Sequence, residues 1–304
     1  MSNSSTKLTN SLIRKFRRLR HQPQQVALAL SGGGARGFAH IGAIEVLLER
    51  GYNITSIAGT SMGALVGGLY AAGRFPELKS LVMGLDKKQV LQIMDISLGL
   101  DHIASGQKLM SILDDLIDNE RIEELPVKFC CSASDVVSGQ EVVFRDGSLK
   151  QAIRASISIP CFFKPVSSDG HIYVDGSVHN TLPLDRVERK KGDLLVAVNA
   201  SAPDDEPYHT YLKRAEPRTE AEKSIRQRLP FLKIEFSENY LNMALRVARL
   251  SVQNNTLMAL RLTPPDIYAA LPMNRFSIFD FDKAEEIIGY GRDEMNRRLD
   301  DYET

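Results

Sequence analysis

The feature that most constrains the fold is a strand–helix–strand pattern near the start of the chain. Residues 25–30 and 54–58 form two short apolar runs, and each is followed by a glycine-rich loop. Between them, residues 41–48 repeat their apolar side chains at helical spacing, and Gly51 supplies a C-terminal stop. Short continuous apolar runs are typical of buried parallel strands. This order predicts a parallel βαβ unit with a right-handed crossover.

The same two patterns continue along the chain and predict an α/β fold. Four further apolar runs read as strands, at residues 127–134, 141–144, 171–177 and 194–200. Helical patterns occupy residues 62–73, 76–98, 106–119, 149–158, 238–262 and 283–300, and Ser148 is the expected N-cap of the fourth of these helices. Charges and prolines dominate residues 202–237, which predicts a surface excursion or lid, and residues 238–304 are expected to be mostly helical.

Composition limits the partners and the compartment. The chain has 304 residues, of which 43% are hydrophobic, and Lys plus Arg equals Asp plus Glu at 38 each. A balanced charge gives no overall field that would attract nucleic acid, so no nucleic-acid partner is predicted. No apolar run is long enough to span a membrane, and no signal peptide is evident, which predicts a cytoplasmic protein. Three cysteines in apolar surroundings predict buried free thiols in a reducing compartment: Cys130, Cys131 and Cys161.

The first 22 residues carry basic charge without a single acidic residue. Their apolar side chains fall at near-helical spacing, so the arm could form an amphipathic helix at an anionic bilayer surface. It could equally pack on the body of the protein or be partly disordered. We therefore divide the chain into a basic arm, residues 1–23, and one domain, residues 24–304, with peripheral contact at the inner membrane surface as one option for the arm.

The loop at residues 31–37, SGGGARG, lies between a strand and a helix, where main-chain N–H groups can hold an anion. The anion could be a dinucleotide pyrophosphate, since Gly32, Gly34 and Gly37 satisfy G-x-G-x-x-G, or the oxyanion of an acyl-transfer intermediate. A dinucleotide site also needs an acidic residue at the end of the second strand. That strand ends in Ala58-Gly59-Thr60, so nucleotide binding is disfavoured.

The second loop, Gly59-Thr60-Ser61-Met62-Gly63, places one hydroxyl in a small-residue turn between a strand and a helix. In a right-handed βαβ unit both strand ends open onto the same edge of the sheet, so Ser61 should lie beside the first glycine loop. A nucleophilic serine flanked by an oxyanion site would result. We prefer this interpretation to that of an ordinary helix-capping serine.

A nucleophilic serine needs a base, and the histidines offer no obvious one. His40 lies inside the first helix, where a structural role is expected. Asp175 ends an apolar strand and is followed by Gly176, so its carboxylate could accept the Ser61 proton if partial burial raises its pKa. The alternative is an ordinary Asp-Gly turn. The other histidines after Ser61 lack a triad context: His102, His171, His179 and His209.

With these three loops the sequence resembles the patatin-like phospholipases, and most closely their bacterial single-domain branch. The family pattern is G-G-G-x-[RK]-G, then G-x-S-x-G, then D-G-[GA]. Here it reads Gly32-Gly33-Gly34-Ala35-Arg36-Gly37, Gly59-Thr60-Ser61-Met62-Gly63 and Asp175-Gly176-Ser177. The block AIRASISIPCFFKPV at residues 152–166 also matches, and the resemblance extends from about residue 25 to the end, weakest at 202–237.

The resemblance implies a three-layer sandwich with a mostly parallel central sheet flanked by helices. It also implies a lipid acyl hydrolase with Ser61 as nucleophile, Asp175 as base and an oxyanion hole of amides around Gly33 and Gly34. Arg36 would orient that loop or add positive charge. Ser177 departs from the usual glycine or alanine and adds a hydroxyl beside the base.

No cofactor, metal or calcium ion is expected, and the substrate would be a lipid or fatty-acyl ester. Met62, Leu65, Phe162 and Phe163 could line an acyl pocket or pack in the core. The competing function is a non-catalytic regulator or adaptor that retains the fold. Neither the head group nor the oligomeric state follows from the sequence.

Overall fold

The computed structural model describes residues 23–86, 88–89, 107–160, 162–205 and 238–304. These residues contain one sheet of eight strands, and each of the six predicted strands is present. The strands are β1 (Gln25–Leu30), β2 (Asn53–Thr60), β3 (Lys128–Asp135), β4 (Gln140–Phe144), β5 (Val166–Ser168), β6 (His171–Asp175), β7 (Leu194–Ala202) and β8 (Ile267–Pro272).

Seven α-helices lie in the described ranges, together with short 3₁₀ helices. Ser148 caps the fifth α-helix as predicted, since its hydroxyl accepts the Gln151 amide. The α-helices are α1 (Ala39–Glu49), α2 (Met62–Ala71), α3 (Phe75–Met83), α4 (Gln107–Leu116), α5 (Leu149–Ser156), α6 (Glu238–Leu262) and α7 (Ala284–Glu303). The 3₁₀ helices are Gly34–Phe38, Ile122–Glu124, Gly176–Val178 and Phe281–Lys283.

The strand order is β5-β6-β3-β2-β1-β7-β8, and β4 also pairs with β3. Strands β1, β2, β3, β7 and β8 pair in parallel, which confirms the predicted βαβ unit and the mostly parallel sheet. Strands β4 and β6 are antiparallel to β3, and β5 is antiparallel to β6. The sheet therefore joins a parallel half to an antiparallel half, and β3 is the strand common to both.

Alternate residues of β1 enter two separate apolar clusters, one on each face of the sheet. Val26, Leu28 and Leu30 belong to the larger cluster, which also contains apolar residues of α1, α2, α5 and α7. Ala27 and Ala29 belong to the smaller cluster, together with Leu182, Leu184 and the α6 residues Ala259 and Leu260. Apolar layers cover both faces of the strand, so the α/β sandwich expected from the sequence is confirmed.

The structure refines some expectations about the fold, and others concern residues outside the described ranges. Of the helix expected over 76–98, α3 covers the part up to Met83, where Gly84 is the C-cap, and residues 87 and 90–98 lie outside the described part of the chain. Residues 238–304 are mostly helical, as expected, but the unpredicted strand β8 lies between α6 and α7 and pairs with β7. The basic arm up to residue 22, Cys161 and residues 206–237 lie outside the described part of the chain.

The two described cysteines, Cys130 and Cys131, are buried free thiols, as predicted. Burial raises the pKa of Cys130 to about 11 and that of Cys131 above its ordinary value, so both stay protonated near neutral pH. None of the helices in the described ranges combines the length and the apolar character needed to cross a bilayer.

Candidate active site

The ends of β2 and β6 meet on one edge of β3. Ser132 of β3 pairs with Thr60 of β2 on one side and with β4 on the other. Its neighbour Ala133 pairs with Asp175 of β6 on one side and, again, with β4 on the other. Strands β2 and β6 therefore share the edge opposite β4, and they run toward each other. Each ends beside the same point of β3, which brings Asp175 close to the turn after Thr60.

That turn is a strained strand-to-helix elbow. Ser61 has φ 54° and ψ −121°, a conformation that glycine adopts readily and that serine rarely adopts. Helix α2 starts at the next residue, and the Ser61 carbonyl accepts the amides of Ala64 and Leu65. The turn also requires close approach, since a Cβ on Gly63 would overlap the Leu30 carbonyl. A Cβ on Gly59 would likewise overlap the Gly63 backbone. Met62 packs closely against Gly37.

Ser61 and Asp175 are in direct contact. The Ser61 hydroxyl donates a hydrogen bond of 2.5 Å to Asp175 Oδ2, and both residues are at least 96% buried. Asp175 Oδ1 accepts the Ser177 amide at 2.8 Å. Burial raises the pKa of Asp175, while hydrogen bonds from Ser61 and from the Ser177 amide and hydroxyl lower it. The net shift is upward, which is the direction that the sequence argument required of a base.

The glycine loop lies against Ser61, as the βαβ argument predicted. A Cβ placed on Gly32 would lie 3.3 Å from Ser61 Cβ and would overlap the Ser177 hydroxyl, so a side chain there would have to displace that hydroxyl. The Gly32 amide donates to the Thr181 carbonyl at 3.0 Å and cannot serve an oxyanion. Within the described residues the amides of Gly33 and Gly34 donate to no protein oxygen. Both amides are therefore available to an anion.

Arg36 supports the loop from behind. Its Nε donates to the Ala200 carbonyl at 2.8 Å, and its Nη1 donates to the Phe276 carbonyl at 3.3 Å. Burial, together with repulsion from Arg249, lowers its pKa to about 9. The side chain is therefore engaged with two backbone carbonyls, an arrangement that orients the loop.

The described histidines contact groups other than Ser61. His40 is fully buried, contacts the Ser31 carbonyl through Nε2 at 2.8 Å, and has a pKa lowered to about 4 by burial. His171 Nδ1 lies 2.8 Å from Asp135 Oδ2, and His179 Nε2 lies 3.2 Å from the Gly139 carbonyl. His40 has the structural surroundings expected for it. His102 and His209 lie outside the described residues.

Two residues of the 152–166 block contact the site, and sequence reasoning assigned them no role. The Ser156 hydroxyl accepts the Ser61 amide at 2.9 Å and donates to the Ser132 carbonyl at 2.7 Å. The Ser158 carbonyl accepts the Asp175 amide at 2.8 Å. The available signal was the family match of the block, which shows that the segment matters but does not indicate which atoms it contacts.

The side chains proposed for an acyl pocket lie in two environments. Leu65 belongs to the main core, and Met62 is partly buried against it. Phe162 and Phe163 are half-buried and meet edge to face, with ring centroids 4.8 Å apart. Phe162 also contacts Phe279, at 5.2 Å between centroids. Leu65 thus has the core position that was the alternative for it, and the acyl pocket stays a prediction for the other three.

The three loops and the 152–166 block have a counterpart in known proteins. The family model described as patatin-like phospholipase matches residues 28–187, just over half of the chain. The chain belongs to the patatin-like phospholipase family. The matched span contains the glycine loop, the elbow at Ser61 and the turn at Asp175.

Relatives of this patatin-like chain are longer than it is. A Mycobacterium tuberculosis protein named as an uncharacterised NTE family protein is 40% identical over 198 residues, which are 65% of this chain and 54% of the relative. Lysophospholipase NTE1 of Saccharomyces cerevisiae is 26% identical over 292 residues, which are 91% of this chain and 17% of the relative. The patatin-like chain thus spans about half of the first relative and about a sixth of the second.

Solved structures give more distant likenesses. VipD from Legionella pneumophila aligns with a TM-score of 0.44 at 13% identity, covering 92% of this chain and 67% of VipD. ExoU, in the ExoU–SpcU complex from Pseudomonas aeruginosa, aligns with a TM-score of 0.41 at 14% identity, covering 92% of this chain and 52% of ExoU. The family assignment rests on the sequence match and not on these alignments.

Proposed function

We propose that the chain is a serine lipid acyl hydrolase in which Ser61 is the nucleophile and Asp175 is its base. The observation that carries the proposal is the 2.5 Å contact between Ser61 Oγ and Asp175 Oδ2 at a strained, buried turn. An ordinary Asp-Gly turn or a helix-capping serine would not need this contact. The phospholipase family supports a lipid ester as the substrate.

The reaction would proceed through an acyl-enzyme. Ser61 Oγ attacks the ester carbonyl carbon as its proton passes to Asp175. Asp175 returns that proton to the leaving alcohol when the ester bond breaks. A water molecule then gives a proton to Asp175 and attacks the acyl carbon, and the fatty acid leaves as the proton returns to Ser61. The raised pKa of Asp175 favours its acting as a proton acceptor near neutral pH.

The amides of Gly33 and Gly34 would hold the negative oxygen of each tetrahedral intermediate. Gly32 and Gly37 would contribute by having no side chain, and Arg36 by holding the loop to Ala200. Removing one oxyanion donor typically costs about 2.7–4 kcal/mol of transition-state stabilisation. Backbone dipoles supply this stabilisation, so the proposal invokes no cofactor or metal.

We also propose the substrate class and the organisation of the chain. Relatives named as lysophospholipases support phospholipids and lysophospholipids as the first substrates to test. Residues 24–304 would form the hydrolase domain, and the basic arm at residues 1–23 would contact the cytoplasmic face of the membrane. A mixed lipid extract incubated with the protein, followed by identification of the species that disappear, tests the substrate class.

Labelling with a fluorophosphonate probe tests the nucleophile. We expect the wild-type protein to be labelled, Ser61→Ala to be unlabelled and Asp175→Asn to be labelled much more slowly. Ser167→Ala removes an exposed serine hydroxyl from β5 and is the matched control, which should label like wild type. A folded wild-type protein that resists the probe would favour the adaptor function, and equal labelling of Ser61→Ala would exclude Ser61 as the nucleophile.

A further inference from the structure

Ser156 lies at the end of α5 and is completely buried behind the elbow. Its hydroxyl lies between the Ser61 amide, at 2.9 Å, and the Ser132 carbonyl, at 2.7 Å. A serine hydroxyl has a single proton, and a carbonyl can only accept, so that proton is committed to Ser132. The hydroxyl therefore presents a lone pair to the Ser61 amide, and its direction is fixed.

This hydroxyl stands where the backbone ladder between β2 and β3 ends. Thr60 and Ser132 are the last paired residues, and the next residue of β2 is Ser61, which turns away into the elbow. Ser156 bridges the gap that the turn opens, since it joins the amide of Ser61 to the carbonyl of Ser132. Without it, a buried N–H and a buried C=O would each lose a hydrogen bond.

The segment from Ser156 to Ser158 also contacts Asp175, the side-chain partner of Ser61. The carbonyl of Ser158 accepts the amide of Asp175 at 2.8 Å, two residues after the hydroxyl that accepts the amide of Ser61. Both members of the Ser61–Asp175 pair are thus anchored through their backbone amides to one piece of chain. A strained conformation such as that of Ser61 persists only when its surroundings hold it.

We propose that Ser156 is a positioning residue for the nucleophile: its hydroxyl fixes the backbone of Ser61 so that Oγ meets Asp175. The inference rests on the proposed function, in which Ser61 attacks the substrate. Ser156 itself would contact neither the substrate nor the reacting atoms. It acts on the rate of attack, and it leaves substrate affinity unchanged.

The test compares Ser156→Ala with Ser56→Ala in fluorophosphonate labelling, with the rate constant and the affinity measured separately. Ser56 is a buried serine in the middle of β2, and its hydroxyl donates to the Glu188 carbonyl. Both substitutions remove one buried hydroxyl from contact with a backbone carbonyl, and melting temperatures check that both proteins are folded. Ser156→Cys keeps the volume and a weak acceptor, so it provides a graded variant.

We expect Ser156→Ala to lose up to about 100-fold in the labelling rate constant with unchanged probe affinity, the size typical of a misplaced reacting group. Ser156→Cys should fall between Ser156→Ala and wild type, and Ser56→Ala should keep the wild-type rate. Wild-type kinetics in Ser156→Ala, an equal loss in Ser56→Ala, or a change in affinity alone would overturn the inference.

The labelling results distinguish a failure of the proposed function from a failure of the role proposed for Ser156. If Ser61→Ala labels as fast as wild type, the assignment of the nucleophile is wrong and the role of Ser156 is wrong with it. If Ser61→Ala is unlabelled while Ser156→Ala labels normally, only the role of Ser156 is wrong.

Discussion

Backbone strain at Ser61 can be measured by comparing Ser61→Gly with Ser61→Ala. Both variants lack the hydroxyl, so both lose the contact with Asp175, and that loss cancels in the comparison. They differ in the backbone, because at φ 54° and ψ −121° alanine keeps the steric conflict of its Cβ and glycine does not. We expect Ser61→Gly to be the more stable of the two.

The size of the difference follows from two opposing terms. A non-glycine residue held in a sparsely populated region costs about 1–3 kcal/mol. Glycine loses more conformational freedom on folding than alanine, which costs about 0.4–1 kcal/mol. The free energy of unfolding of Ser61→Gly should therefore exceed that of Ser61→Ala by about 1 kcal/mol. For a chain of this length this corresponds to a melting temperature higher by about 2 °C.

Urea unfolding of the two variants measures the difference in the free energy of unfolding. The same pair of substitutions at Ser167, in β5, is the control, because Ser167 does not have positive φ and alanine should be the more stable residue there. If Ser61→Ala proves as stable as Ser61→Gly, the elbow is not strained and the argument for a conformation maintained for function fails.

Four further predictions concern Asp175 and the elbow. The labelling rate should fall as the pH drops through the raised pKa of Asp175, because a protonated carboxyl cannot accept a proton; a pH profile that stays flat down to its ordinary value of 3.8 would contradict this. Ser177→Gly should move that fall to higher pH, since the Ser177 hydroxyl lowers the pKa of Asp175, and an unmoved profile would refute the role of the hydroxyl. Asp175→Asn should gain stability relative to wild type as the pH rises from 3.8 through the raised pKa of Asp175, because only the wild type must bury a charge there. Thermal melts in which the two proteins differ by the same amount at low and high pH would contradict this prediction. Gly63→Ala should lose about 1–3 kcal/mol or more in urea unfolding, because its Cβ would meet the Leu30 backbone, and wild-type stability would show that the elbow can relax.

Local sequence patterns predicted the elements that carry the site. The apolar run before the glycine loop, the run before the elbow and the run that ends at Asp175 all form the expected strands. The first two are short, mostly buried strands, the third is buried only at its end, and all three are followed by small residues, so composition and length suffice to identify them. The motifs predict that Ser61 and Asp175 lie close together, and their side chains are in contact at 2.5 Å.

What the patterns could not supply was the direction and pairing of the strands. The residues of β6 give no sign that it runs antiparallel to β3 and toward the end of β2, because a period of two is the same in both directions. Strand β8 was missed because its sequence IYAALP contains two alanines and a proline, which are poor strand formers. Ser156 was missed because a buried hydroxyl bonded to two backbone groups leaves no spacing pattern.

Because β2 and β6 end beside the same neighbouring strand, the distance between Ser61 and Asp175 depends on one stretch of backbone, from Ser132 to Ala133. A residue inserted or deleted there would change that distance although the sequences around Ser61 and Asp175 stay the same. An engineer seeking to transplant this pair into another sheet would need to copy a junction of three strand segments, not a long sequence.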